Sequence, residues 1–254
     1  MPSMFAYRLD LEYEGTRYSG WQAQANARTV SGELRRALVA AGAQVVELGG
    51  AGRTDAGVHA AGQTAHLRLA ARIDPGAIRR AVNELLAPDI HLLALRPASP
   101  RFHARHQAVL RSYVYQVSRR RTAMAKRFVW WIKRPIRVEA IRDAARELVG
   151  RRDFSRLCEA PSRQASTVVV VDRVEVAEDG DLILFRFVAS HFLWKMVRRT
   201  VGALVRVGTG ELTGAQWRRL VDPRSDPAAE GSPAAAWTAP PSGLFLERVA
   251  YPGE

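Results

Sequence analysis

Cysteine is nearly missing from this chain. A single one, Cys158, stands among 254 residues, so no intrachain disulfide can form and every zinc pattern built on paired cysteines is excluded. Long apolar runs are missing too, since none approaches the ~20 residues that a membrane-spanning helix needs. The opening stretch, Met1-Pro-Ser-Met-Phe-Ala-Tyr-Arg, holds no hydrophobic export segment. These absences predict a soluble protein of a reducing compartment, the cytoplasm, with no membrane partner. At 47% hydrophobic and 25% charged residues the chain is neither disordered nor fibrous. Its length suffices for one large domain or two modest ones with a core that needs no covalent staples.

Acidic residues are absent from one long segment. Between Ile90 and Val138 there is no Asp or Glu, yet twelve basic residues occur: Arg96, Arg101, Arg105, Arg111, Arg119, Arg120, Arg121, Lys126, Arg127, Lys133, Arg134 and Arg137. The rest of the chain is balanced within one charge, so this segment carries nearly all of the formal net charge of +13. Phe102, Tyr113, Tyr115, Phe128, Trp130 and Trp131 are interleaved with the cations. Concentrated basicity with aromatics fits a surface that tracks phosphates and stacks on bases. Only 3 of the 38 basic residues are Lys. That bias reads either as a GC-rich genome or as planar recognition of phosphate and base by guanidinium groups.

Hydrophobic periodicity gives two similar halves. Residues 5–13 alternate, with Tyr7, Leu9, Leu11 and Tyr13 on one face, as in a half-buried strand. Val30, Leu34, Ala37, Leu38 and Ala41 follow helical spacing. Short strands are predicted at 45–48 and 63–69, a helix after the Asp74-Pro75 start signal, and a strand at 90–95. The second half repeats this order: strand 109–117, helix 138–149, strands 167–176 and 182–188, helix 191–207, and strand 244–250. Thr213-x-x-Gln216 has the form of a capping box, and 222–242 reads as a Pro/Ala/Ser-rich loop. Two βαββαβ halves predict an α+β fold of two ferredoxin-like sheets joined pseudo-symmetrically, mixed but mainly antiparallel, with helices on one face and a central cleft. The implied domains are 1–106 and 107–254.

Gly49-Gly50-Ala51-Gly52-Arg53-Thr54-Asp55-Ala56-Gly57-Val58-His59 is the most informative segment. Its four glycines permit positive φ and close backbone approach, which would let a large ligand reach Asp55. No Gly-Lys-Ser/Thr follows and no long helix opens after it, so neither a P-loop nor a dinucleotide fingerprint fits. On residue types alone, Asp55 is either a turn residue in a hairpin-like connection or a reactive carboxylate.

The string Gly52-Arg53-Thr54-Asp55-Ala56-Gly57-Val58-His59 resembles the signature of the tRNA pseudouridine synthase A family. Other blocks of that family follow in order along the chain: Tyr13-x-Gly15-Thr16-x-Tyr18-x-Gly20-Trp21-Gln22, Gly62-Gln63, Phe102-His103-Ala104-Arg105, Tyr113-x-Tyr115, Asp153-Phe154-Ser155, Phe192-x-x-x-Met196-Val197-Arg198 and Gly243-Leu244-Phe245-Leu246. The resemblance implies isomerisation of uridine to pseudouridine at positions 38, 39 and 40 of the tRNA anticodon arm, by a homodimer with no cofactor or metal. It implies that Asp55 is the catalytic carboxylate, as nucleophile or base, kept ionised by Arg198. Tyr113 is implied to stack on the uracil and to take its carbon-5 proton, and Arg53 to hold the target nucleotide out of the stack. His59, Phe102, Arg105, Arg119, Arg120 and Arg121 are the further expected RNA contacts. In this scheme the first domain carries the Asp loop and the second the Tyr strand and Arg helix.

Two departures stand out. Ser31 replaces the family's usual Gln, and Thr167-Val168-Val169 lacks an arginine, so altered RNA contacts are expected at both. His103 and His106 with His59, His66 and His191 raise a metal site, but no H-E-x-x-H exists. A Ser-His-Asp hydrolase lacks its G-x-S-x-G elbow. A non-catalytic RNA-binding module would have no need of Asp55, Tyr113 and Arg198 together.

Overall fold

A computed structural model of the chain describes residues 4–163, 165–222 and 235–254. These form two compact units, Met1–Val109 with Phe245–Glu254, and Leu110–Leu244. Both are α+β, with sheets that are mainly antiparallel, as the sequence implied.

The first unit opens with β1 (Phe5–Tyr13), whose alternation places Tyr7, Leu9, Leu11 and Tyr13 in the core. Helix α1 (Val30–Ala40) starts at Thr29, whose hydroxyl accepts from the Gly32 N–H, and it buries Val30, Leu34, Ala37 and Leu38. After β2 (Val45–Gly50) and β3 (His59–Leu69), α2 (Pro75–Leu85) begins at Asp74. The Asp74 carboxylate accepts from the Gly76 and Ala77 N–H groups, and Pro75, having no N–H to lose, fills the first helical position. Strand β4 (Ile90–Pro97) completes the order β4-β1-β3-β2, all antiparallel. Because α1 packs on β2 and on α2, and α2 on β4, both helices share one face of this sheet. That is the split βαβ arrangement.

The second unit is built from β5 (Leu110–Ser118), the short β6 (Trp130–Trp131), α3 (Val138–Arg146), β7 (Gly150–Asp153), β8 (Val168–Asp179), β9 (Leu182–Ala189), α4 (Met196–Thr209) and α5 (Gly214–Val221). Its antiparallel order is β5-β9-β8-β7, with β6 parallel on the end of β5. Helix α3 packs on β8 and on α4, and α5 on α4. The Thr213–Gln216 capping box is present in both directions. The last strand, β10 (Leu244–Ala250), pairs in parallel with β3 of the first unit through Phe245↔His59 and Leu246↔Ala60.

Several features depart from the sequence reading, among them the short β6 and the end of α3 at Arg146 rather than 149. Helix α4 begins at Met196 and not near 191, because Lys195 adopts a left-handed backbone (φ 58°) that stops the helix from extending backwards. Strand β7 is additional: Gly150-Arg151-Arg152-Asp153 pairs through its backbone alone and shows no apolar alternation. Of the expected loop 222–242, residues 223–234 lie outside the described residues.

Candidate active site

Asp55 is half-buried on the connection between β2 and β3. That connection is tied down along its whole length. The Ala51 N–H donates to Thr64 O at 2.8 Å, the Gln63 carboxamide to Gly52 O at 2.9 Å, and the Val58 N–H to Asp55 O at 3.1 Å. The segment after β1 holds the other side. Trp21 N–H donates to Thr54 O (3.1 Å), Gly57 N–H donates to Tyr18 O (3.2 Å), and the Tyr13 hydroxyl meets Thr54 Oγ1 at 2.8 Å. Burial pushes the Tyr13 phenol up to about 12, against the lowering effect of its Thr54 and Gln63 hydrogen bonds, so it stays protonated. Gly20 is required where the two segments cross: its φ is +86°, and a Cβ there would fall 2.4 Å from Thr54 O.

Of the loop's four glycines, Gly57 takes the positive φ expected of it (77°), whereas Gly49 and Gly50 serve a different purpose. Gly49 and Gly50 lie in β2, and a Cβ on them would strike the His66 imidazole at 2.4 Å and the Trp21 indole at 2.6 Å. They make room for the protein's own rings. His59, expected at the substrate, is only 1% exposed. Its Nδ1 accepts from the Gly15 N–H at 3.0 Å and its ring stacks on Phe245 at 4.7 Å. From that position it anchors the turn after β1. Ser31, expected to alter RNA contacts, is likewise buried, and its hydroxyl donates to Trp21 O at 2.5 Å.

Arg53 and Arg105 are exposed, and Phe102 is half-buried against Tyr251 at 5.4 Å between ring centres. Beside Phe102 lies a cluster that the sequence hinted at through its histidines. Donor atoms of Glu47, His66 and His103 fall within 4.8 Å of one another. His66 Nδ1 accepts from the Ala104 N–H at 3.3 Å, and His103 Nδ1 from the Arg105 and His106 N–H groups at 3.2 and 3.4 Å. In its neutral form each ring, with Nδ1 accepting, carries its proton on Nε2, the nitrogen left for a metal, and His66 Nε2 is 3.1 Å from Glu47 Oε1. This donor set suits a hydrogen-bond network better than a metal. Burial and the neighbouring His66 and His106 hold the His103 imidazole below its ordinary value.

In the second unit Tyr113 is buried on β5, with Phe192 edge-on to its ring at 4.9 Å. Arg198, on the first turn of α4, is half-buried and its Nε donates to Ala239 O at 2.8 Å. Tyr115, two residues along the same face of β5, donates its hydroxyl to Pro240 O at 2.7 Å. Burial pushes the Tyr115 phenol up, opposed by the nearby Arg198 charge. Arg198 and Tyr115 thus fix the segment that leads into β10. The sequence offered no sign of this second role for Arg198, which depends on a backbone carbonyl 41 residues away.

A family model described as tRNA pseudouridine synthase matches residues 11–107 and 144–252. The chain is 37% identical over 250 residues to the tRNA pseudouridine synthase A of Sinorhizobium fredii, covering 96% of this chain and 99% of that one. It is 39% identical over 251 residues to the enzyme of that name from Mesorhizobium japonicum, covering 97% and 99%. The chain belongs to the tRNA pseudouridine synthase family. It is an isomerase that acts on tRNA.

In this synthase the acid-free segment is not a bare run of cations. Arg119 pairs with Glu178, Arg120 Nε lies 2.9 Å from Asp181, and Arg134 lies 2.9 Å from Glu211. The Arg111 guanidinium donates to Ser190 O at 2.7 Å. Arg121 and Lys133 lie 5.5 and 5.4 Å from the Trp131 ring centre, a cation–aromatic cluster at the end of β5. No helix among the described residues is long and apolar enough to cross a membrane.

Proposed function

We propose that this synthase converts uridine to pseudouridine at positions 38, 39 and 40 of the tRNA anticodon arm, with Asp55 as its reactive carboxylate. Uridine and pseudouridine have the same atoms. The bond from ribose C1′ to N1 breaks, the uracil turns, a bond from C1′ to C5 forms, and the proton on C5 is lost while N1 gains one. Nothing is oxidised or reduced overall, so the reaction requires no cofactor. It does require an ionised group, nucleophile or base, held beside ribose and base.

The observation that carries this reading is the immobilised Asp loop. Hydrogen bonds from Trp21 to Thr54, between the Tyr13 and Thr54 hydroxyls, from Gln63 to Gly52 and from Gly57 to Tyr18 fix the backbone on both sides of Asp55. A surface turn residue needs no such support, whereas a reactive group must be held close to its working geometry. The remaining roles are proposed from the likeness of this chain's motifs to those of the family. Arg198 is the cation that keeps Asp55 ionised, Tyr113 stacks on the target uracil, and exposed Arg53 holds the nucleotide out of the stem. Phe102, Arg105 and the Arg119–Arg121 run contribute RNA contacts. The enzyme works as a homodimer in the cytoplasm, with residues 1–106 carrying the Asp loop and 107–254 the Tyr strand and the Arg helix.

The test is Asp55→Asn, assayed by tritium release from tRNA labelled at uridine C5. Turnover should fall below detection while tRNA binding persists. Appreciable turnover would remove Asp55 from the chemistry. Mapping pseudouridine in tRNA treated with the wild-type enzyme checks the positions.

A further inference from the structure

Trp194 is 48% exposed, a large indole presented to solvent four residues before Arg198. It is not on a loose loop. The Glu159 N–H donates to Trp194 O at 2.8 Å, so a separate segment clamps its backbone. The Glu159 carboxylate also accepts from Lys195 Nζ at 3.3 Å and from the Arg199 guanidinium, and Arg199 in turn donates to Cys158 O. Among the described residues only Ala160 (φ 44°) and Lys195 (φ 58°) combine a side chain with a left-handed backbone. They follow, respectively, the two residues joined by that single hydrogen bond. Strain of this kind persists only where the surroundings over-determine it, and it gathers at functional sites. Finally, Lys195 Nζ lies 5.3 Å from the Trp194 ring centre, so a cation sits beside the exposed ring.

We propose that Trp194 is a stacking platform for an unpaired nucleobase of the RNA substrate, with Lys195 supplying a cation next to it. The occupant follows from the chemistry. Lys195 and Arg199 share the single Glu159 carboxylate, so the cluster beside the exposed indole keeps a net positive charge and suits a flat π-face joined to a negative backbone, and an unpaired nucleotide offers both. An aliphatic protein surface would gain nothing from the ammonium. Rigidity adds to this, because a platform already fixed in its binding geometry loses little freedom on contact. The proposal rests on the reading above in one respect: the stacked base belongs to the anticodon arm because Arg198 works there.

The test measures Kd for a tRNA transcript with full-length Trp194→Ala and Trp194→Phe. Loss of one base–aromatic stack corresponds to about five-fold or more in Kd, so Ala should weaken binding by at least that factor while Phe retains most of the affinity. Since no charge is removed, the slope of log K against log salt should match wild type, which separates lost stacking from lost phosphate contacts. Removing single bases from the transcript should reveal one position at which the Ala penalty disappears. A position outside the anticodon arm would uphold the platform and overturn the target assignment. Wild-type affinity in Trp194→Ala would overturn the proposal. So would a penalty that survives every abasic substitution, or one that appears only as a weaker self-association of the protein. Asp55→Asn with undiminished turnover would sink the catalytic reading and leave this one standing, because the readout here is binding.

Discussion

Tyr13 lies 41 positions before Thr54, yet their hydroxyls meet at 2.8 Å inside the core of the first unit. Gln63 Nε2 is 3.4 Å from the same phenol and 2.9 Å from Gly52 O. The three side chains make a buried bracket beneath Asp55. Tyr13→Phe keeps the ring and deletes the oxygen, leaving Thr54 Oγ1 without that buried partner at a cost of ~1–3 kcal/mol. We expect urea denaturation to show a loss of that order, and steady-state kinetics to show a lower kcat with KM for tRNA unchanged. Thr54→Ser, which keeps the oxygen, should behave nearly as wild type, and Thr54→Val should behave like Tyr13→Phe. Equal kcat in all three would mean that the bracket does not position Asp55. The contact was not legible in the residue types, since Gln63 appeared only as a member of a motif and Tyr13 as a motif residue on one face of a half-buried strand. The structural part played by His59 was hidden for the same reason. A histidine closing a motif looks like a ligand contact, and only its long-range partners, Gly15 N–H and the Phe245 ring, reveal an anchor.

Elements were far more legible than single contacts, because their signals are local. The 5–13 alternation coincides with β1, and the Thr213-x-x-Gln216 spacing is an actual capping box. Asp74-Pro75 gave the start of α2 to the residue, since both parts of that signal act on the first turn itself. Its energetic content can be tested. Asp74→Ala removes the acceptor that serves the Gly76 and Ala77 N–H groups at 2.8 and 3.3 Å and should cost ~1 kcal/mol by chemical denaturation, whereas Asp74→Ser should recover most of it. Activity at saturating tRNA should stay at wild-type level, because α2 carries none of the proposed site residues. Where the sequence reading failed, a distant interaction had replaced the local code. Helix α4 starts late because Lys195 is held left-handed in the segment clamped to Glu159, a contact 36 residues away in the chain. Strand β7 was missed because backbone pairing with β8 forms it without any apolar face.

For the molecule as a whole the decisive quantity is charge, and folding redistributes it. In the sequence, twelve cations without an acid between Ile90 and Val138 carry almost the entire excess of +13. In the fold, acids from later in the chain return to some of them: Glu178 to Arg119, Asp181 to Arg120, Glu211 to Arg134. Surface pairs of this sort contribute little to stability, but they reduce the field that a phosphate meets and must be exchanged before a phosphate can bind. The run Arg119-Arg120-Arg121 therefore does not act as one group. Arg119 and Arg120 are compensated, whereas Arg121 and Lys133 flank Trp131 and have no acidic partner among the described residues. Each phosphate contact should add ~0.7–0.9 to the slope of log K against log salt. The double variant Arg121→Gln, Lys133→Gln should accordingly flatten the slope for tRNA by up to about 1.8, the sum of two such contacts. Arg120→Gln should change it less, and Asp181→Asn, which releases Arg120, should tighten binding at low salt. Equal slopes in wild type and the double variant would place the phosphate contacts elsewhere on the enzyme. A larger change from Arg120→Gln than from the double variant would show that tRNA displaces Asp181 without penalty, and that net charge in the sequence, and not pairing in the fold, governs the grip on RNA.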